Sequence, residues 1–247
     1  MEELERAAAD FTDADLSVVS EPPTLAAARR SLEESGLLLL GEVHGVRENP
    51  LIIRSLMRAL EPSGLALEWP EELSPAVTAF LAGEKLADHP LLWFGDGRIT
   101  AGHLSVLREL AAAGPLSLTL FDGTISADWN WSQRDEAMAG RILTAPAASA
   151  GTLVVAGNAH TPTAPTQLGV TLGAYLAGQR PGLREIRINY GSGRFYNGEP
   201  RQFRSVGLGQ GPARLHETHG SLVLDLPAAE EAVVPQRPMP WPTGPSD

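Results

Sequence analysis

The sequence predicts an α/β fold: a mostly parallel sheet flanked by helices on both faces, with antiparallel edge strands near the C-terminus. Three observations carry this. Runs such as Leu37-Leu38-Leu39-Leu40 and Leu153-Val154-Val155 have the unbroken hydrophobicity of strands buried on both faces. Stretches with helical spacing alternate with them, as in a sheet built from crossover connections. Four successive apolar runs end in polar or ionisable groups: Glu42 and His44, then Glu68, then Asp122, then Asn158 and His160. In a parallel sheet those ends share one edge, where open α/β sheets bind ligands.

The chain has 247 residues, 43% of them hydrophobic, enough to bury one good-sized core. One catalytic-type domain is expected over residues 1–226, with a possible lid at 83–100 and a Pro-rich C-terminal tail at 227–247. There is no cysteine, which excludes disulfides, thiolate metal sites and a cysteine nucleophile. A formal net charge of -11 argues against a broad basic face for nucleic acid. The N-terminus Met1-Glu2-Glu3-Leu4-Glu5-Arg6 lacks the basic-then-apolar pattern of a signal peptide. The run Leu37–Leu40 is far too short to cross a bilayer. The expectation is a cytoplasmic protein with a small-molecule or peptide substrate and neither nucleic acid nor membrane as partner. No oligomeric state is implied.

Thr24 is the expected N-cap of a helix over 25–34, and Gly36 its stop. After the leucine strand the chain turns at Gly41. Pro50 suits the first turn of a helix carrying Leu51, Ile52, Leu56, Met57 and Leu60. The next strand, 64–70, contains Glu68, and Ser74-Pro75 opens a helix to about Ala82. Residues 83–100 break the rhythm and read as an insertion with an aromatic underside. A helix over 101–113 stops at Gly114-Pro115. Strand 116–123 contains Asp122. Ser132 is the expected N-cap of a helix to Leu143, with Asp135 and Glu136 suited to its positive end. Strand 151–160, a helix over 167–177 and a strand over 182–190 follow. Beyond them, 202–206 and 221–226 are expected as edge strands.

Two histidines and two glutamates on one edge support two chemistries. In one, a neutral imidazole takes a proton from water while a carboxylate fixes its tautomer. An arginine then binds a substrate carboxylate or a developing oxyanion. In the other, a divalent metal held by His and Glu acidifies bound water. No compact zinc motif is present. Trp69, Trp93, Trp129 and Trp131 fall at strand ends or in the loops above them, where they could line an apolar pocket. His89 and His103 have no partner pattern and read as surface or packing residues. His216 and His219 lie outside the set. No Gly-x-Ser-x-Gly elbow occurs, which disfavours a serine hydrolase.

Gly41-Glu42-Val43-His44-Gly45-Val46-Arg47-Glu48 resembles the opening motif of the erythromycin esterase family. Glu68 stands where that family has a functional glutamate. Arg134-Asp135-x-x-Met138-Ala139 resembles its Arg-Asp-x-x-Met-Ala helix, and Asn158-Ala159-His160 its Asn-x-His. The same superfamily holds haem-binding ChaN-like proteins, which are nearer this chain in size, and Tiki/TraB-type metalloproteases. The resemblance implies a hydrolase-like enzyme acting on an ester, lactone or amide of a secondary metabolite or modified peptide, without a cofactor. It implies His44 as general base, Glu68 as the group that orients or polarises the base or the water, His160 as second acid/base or oxyanion partner, and Glu42 as support for His44 or, with a metal, a ligand. Arg47 and Arg134 would hold substrate. Asn158, Asp122 and Trp69 are expected beside the substrate on position alone. The alternatives are an epimerase-type proton transfer, a divalent-metal peptidase, or a haem or small-ligand carrier with Tyr175, Tyr190 and Tyr196 as the available tyrosines.

Overall fold

Leu38 and Leu40 belong to one apolar core and Leu37 and Leu39 to another, so the leucine strand is buried on both faces. The computed structural model describes residues 11, 16–93, 95–123 and 129–234. Its main sheet contains β1 (Val18–Ser20), β2 (Leu37–Glu42), β3 (Gly64–Pro70), β4 (Ser117–Asp122), β5 (Thr152–Gly157) and β6 (Glu185–Tyr190). A hairpin, β7 (Arg194–Tyr196) and β8 (Pro200–Gln202), forms a separate antiparallel pair. Strands β9 (Ala213–Thr218) and β10 (Ser221–Leu226) complete the main sheet. The order is β1-β9-β10-β6-β2-β5-β3-β4, and only the β9–β10 pair is antiparallel.

Helices α1 (Pro22–Ser35), α2 (Asn49–Leu60), α3 (Ser74–Leu81) and α4 (Ala101–Ala113) pack on the face of Leu38 and Leu40. Helices α5 (Trp131–Thr144) and α6 (Leu172–Gln179) cover the other face through Met138, Ala139, Ile142, Leu172 and Leu176. This is the predicted α/β class. No helix of the described residues is long and apolar enough to cross a membrane.

Several boundaries differ from expectation, each for a local reason. Helix α1 starts at Pro22 rather than after Thr24, because proline suits the first helical positions. Gly36, at φ 76, closes it by donating its N–H to Leu32 O. Asn130, not Ser132, caps α5, with Gln133 returning the hydrogen bond in a capping box. The Ser132 hydroxyl instead accepts from Val170 N. Helix α6 begins only at Leu172, where Thr171 caps it. Strand β8 stops at Gln202 and lies outside the main sheet, so 202–206 is no edge strand. Strand β10 is interior, and the edge beyond it is made by β9 and β1. Arg214, Glu217 and Thr218 of β9 are mainly polar and exposed or half-exposed, which hid that strand from a hydrophobicity reading.

The segment 83–100 is not a free lid. Leu86, Leu92 and Ile99 are buried in the first core. Its last turn docks on the loop after β2: Gly45 N donates to Gly97 O at 2.9 Å, and Tyr196 N of β7 donates to Gly45 O at 3.0 Å. Gly97, at φ 86, fits because a Cβ there would collide with the Tyr196 carbonyl. Residues 227–234 of the Pro-rich C-terminal segment form an ordered wrap. Ala232 N donates to Gly45 O, Ala229 N donates to Ser192 O, and Ala229, Ala232 and Val234 are buried. This strap belongs to the domain, while 235–247 lie outside the described residues.

Candidate active site

The strand order β2-β5-β3-β4 sets the C-terminal ends of four parallel strands side by side. Glu42 ends β2, Gly157 ends β5, Glu68 lies near the end of β3, and Asp122 ends β4. Glu68 is at the centre. Its Oε2 accepts from Gly157 N at 2.8 Å, and its Oε1 accepts from Arg134 Nη2 at 3.0 Å. His44 Nε2 lies 3.7 Å from Glu68 Oε2, and His160 Nε2 lies 3.6 Å from Glu68 Oε1.

Each histidine is held from behind by a second carboxylate. His44 Nδ1 is 3.2 Å from Glu42 Oε1. His160 Nδ1 is 2.7 Å from Asp135 Oδ1, and Asp135 Oδ2 accepts from Leu172 N at 2.7 Å. A carboxylate can only accept, so both rings carry their proton on Nδ1 and turn Nε2 toward Glu68. Arg134 Nη1 stands 3.2 Å from His160 Nε2, and a guanidinium can only donate, which supports the same tautomer. Trp131 lies parallel to the His160 ring, with centroids 4.4 Å apart.

Two arginines complete the cluster. Arg98 donates to Asp122 Oδ2 through Nη1, to Asp96 Oδ2 through Nε at 2.5 Å and to Glu68 O at 3.3 Å. Arg134 Nη2 also donates to Asp122 Oδ2 at 3.0 Å. Burial alone would raise the Glu68 carboxyl. The opposing charges of His160, His44, Arg98 and Arg134 outweigh it and hold Glu68 well below the usual carboxylate range. Burial alone would lower His44. The hydrogen bond to Glu42 and the charges of Glu68 and Glu42 outweigh burial and Arg98, and His44 is raised above its ordinary 6.5. Glu68 is therefore a fixed anion, and His44 is a strengthened base.

Gly157 faces the centre of the cluster. A Cβ there would lie 3.3 Å from His44 Nε2, 3.6 Å from Glu68 Oε2 and 3.6 Å from His160 Cδ2. Among the described residues no group of three or more His, Asp or Glu is arranged to hold a metal ion. Both Glu68 oxygens already accept from N–H donors, and two guanidinium groups stand beside them, a poor fit for a dication. The hydroxyl of Tyr190, one of the tyrosines considered for haem, is bonded to Asn49 and Val43.

The structure therefore brings together His44, Glu68, His160, Glu42, Arg134 and Asp122, and it moves three other expected residues elsewhere. Arg47 turns to the C-terminal strap, pairing with Glu230 Oε2 at 3.0 Å. Trp69 is only 2% exposed; its indole donates to Arg98 O at 2.9 Å and meets the His103 ring edge-on. It supports the arginine loop and offers no surface to substrate. Asn158 N donates to Glu42 O at 2.7 Å, while its Oδ1 is buried without a partner beside Gly41. Asp122 is taken up by the two arginines. Among the four tryptophans considered above, Trp131 stacks on the cluster's His160, while Trp93 bonds Asp88 and Trp129 is exposed. His216 pairs with Asp225 on distant strands.

Arg98, Asp135 and Gly157 are the members that the sequence reading gave no catalytic or substrate-binding role, and Trp131 is one of the four tryptophans it placed near a pocket. Gly95-Asp96-Gly97-Arg98, in the expected insertion over 83–100, reads as a plain turn or as a lid over substrate, and it delivers Arg98 to the carboxylates. Asp135 reads as a helix-dipole residue, yet it faces His160. Two cavities of about 90 and 400 Å³ open at the opposite, N-terminal edge of the strands, around Leu37, Thr152 and Gly151. Neither is lined by a histidine.

No known protein family matches this sequence, and no curated protein does. Two solved structures share the fold over nearly the whole chain. One is a protein from Bacillus cereus, 10% identical, with a TM-score of 0.63 over 94% of this chain and 99% of that one. The other is a succinoglycan biosynthesis protein, 7% identical, with a TM-score of 0.62 over 95% of this chain and 98% of that one. At such identities the likeness establishes the α/β architecture alone.

Proposed function

We propose that this protein is a hydrolase-like enzyme of the erythromycin esterase type, acting by His/Glu general acid–base catalysis on an ester, lactone or amide. One observation carries the reading: two imidazoles, each backed by a carboxylate at Nδ1, present Nε2 to one buried anion at 3.7 and 3.6 Å. In this reading a water near Gly157 loses its proton to His44 Nε2. Glu42 holds the ring and Glu68 stabilises the imidazolium, which is the role a fixed anion serves best. Arg98 and Arg134 stabilise the negative charge that develops on the attacked carbonyl oxygen. His44 then gives that proton to the leaving oxygen or nitrogen, and His160 Nε2, with Asp135 behind its ring to balance the charge, accepts the proton released by the product acid. No step runs through a metal or cofactor. Neighbouring glycines and a compact, polar centre favour a small-molecule or modified-peptide ester presented from the sheet edge. A cytoplasmic setting is part of the reading, since a cysteine-free chain needs no oxidising compartment to fold.

The test is a panel of chromogenic esters and lactones assayed after exhaustive chelation, with metal content measured on the same sample. Turnover that survives chelation and disappears in His44→Ala supports the reading. Activity that returns only with added metal replaces it by the metallopeptidase alternative, and a Soret band on haemin titration would favour the carrier.

A second reading, proton transfer of the epimerase type, is favoured by the same pair of opposed Nε2 atoms, which could remove and return a proton at one carbon. Exchange of substrate C–H for deuterium in heavy water, without hydrolysis, would identify it.

A further inference from the structure

The two peptide units just before His44 are held by two residues of unrelated segments. Tyr190 ends β6, and Asn49 begins α2. The Val43 N–H donates to the Tyr190 hydroxyl at 3.0 Å, and that hydroxyl donates to Asn49 Oδ1 at 2.8 Å. Asn49 Nδ2 donates to Val43 O at 2.8 Å. The ring of hydrogen bonds is closed and buried: Asn49 is fully buried and Tyr190 is 7% exposed.

The consequence follows from which peptide units are bonded. Val43 N belongs to the unit joining Glu42 to Val43, and Val43 O belongs to the unit joining Val43 to His44. Both units between Glu42 and His44 are therefore pinned, and planar peptides leave little other freedom between the two Cα atoms. That separation sets the 3.2 Å contact between Glu42 Oε1 and His44 Nδ1. We propose that Tyr190, acting with Asn49, is a positioning residue that fixes the His44 tautomer by holding Val43 at both of its peptide groups. Tyr190 is supported in turn by the Phe203 ring, stacked parallel at 4.7 Å. The C-terminal third of the chain thus reaches the Val43 side of His44 through this hydroxyl, as it reaches the Gly45 side through the Tyr196 and Ala232 N–H groups.

The inference takes His44 as the base, and so rests on the reading above, but its test needs no substrate. The full chain, labelled with ¹⁵N-histidine, is titrated while the imidazole nitrogens are followed by two-bond proton–nitrogen spectra, with His44 assigned through His44→Gln. The charged groups around this ring are Glu42, Glu68 and Arg98. In the native protein His44 is expected as the single Nδ1–H tautomer, titrating above about 6.5. In Tyr190→Phe the tautomer becomes mixed and the midpoint falls below that of the native protein. Asn49→Ala produces the same change and serves if Tyr190→Phe loses its fold. Phe203→Leu, which leaves the hydroxyl in place, lowers the melting temperature with the His44 pattern unmoved. An unchanged His44 pattern in Tyr190→Phe or Asn49→Ala, or an equal disturbance in Phe203→Leu, would overturn the inference. Absence of esterase activity would sink the functional reading and leave this result standing.

Discussion

Asp135 Oδ1 lies 2.7 Å from His160 Nδ1, at a position the sequence marks as a helix start and as part of an Arg-Asp motif but not as a partner of His160. The other oxygen of Asp135 accepts from Leu172 N, so the carboxylate is held at both ends and cannot swing away. Asp135→Asn turns one acceptor into a donor. His160 would then place its proton on Nε2, facing the Arg134 guanidinium. The expected result is a loss of kcat on the order of 10³–10⁴-fold, as for an orienting carboxylate behind a catalytic histidine. Circular dichroism should remain native, and a variant with near-native kcat would remove His160 from the mechanism.

Gly157 makes a separate prediction. Its backbone is compatible with alanine, and the added Cβ would enter the space between His44 Nε2 and Glu68 Oε2. Gly157→Ala should fold normally and lose activity by about a hundredfold, since displacements of this size cost that much at a reacting centre. Steady-state kinetics with a melting curve checks both halves. Undiminished turnover would place the reacting water elsewhere.

Arg98 is tied to Asp122, Asp96 and Glu68 and is largely buried. Arg98→Met leaves those carboxylates without their cation and should destabilise the fold by about 3–5 kcal/mol, the usual cost of breaking a buried pair. Arg98→Lys should recover only part of this, because an ammonium cannot reproduce the fork of bonds. Urea unfolding of the three proteins gives the comparison, and equal stabilities would show that the network is loose in solution.

The pH profile follows from the directions of the two shifts. His44 is raised above 6.5 in the folded state, so its stabilisation is full below 6.5 and is lost as pH rises through the folded value. As a base it works only when neutral, so the rate should climb with a midpoint above 6.5. Glu68 is lowered from 4.5, so its contribution is full above 4.5 and is lost as pH falls through the folded value. Rates and melting temperatures measured across the same buffers test both. A kinetic midpoint at or below the ordinary histidine value contradicts the arrangement around His44.

The parts of this protein that were legible in the sequence are those written locally. Leu37–Leu40 and Leu153–Val155 announce buried strands because both of their faces are apolar. Glu42, Glu68, Asp122 and His160 announce a common edge because each follows such a run. What stayed hidden depends on long-range pairing. Arg98 enters the cluster only because Gly97 packs backbone to backbone against Gly45 and Tyr196. Asp135 finds His160 only because α5 crosses the sheet end beside α6. Arg47 shares the charged turn with His44, yet Glu230, far along the chain, draws it to the strap. Trp69 sits one residue from Glu68, but the alternation of a strand sends it into the opposite core.

The most direct test of the central claim is the hydrolysis rate of a responsive chromogenic ester by metal-free native protein and by His44→Ala, compared at a pH where His44 is neutral. The account predicts steady turnover by the native protein and a loss of at least about 10²-fold in the variant, the scale of a general base, with the melting curve of a folded protein. Full activity in His44→Ala would contradict it.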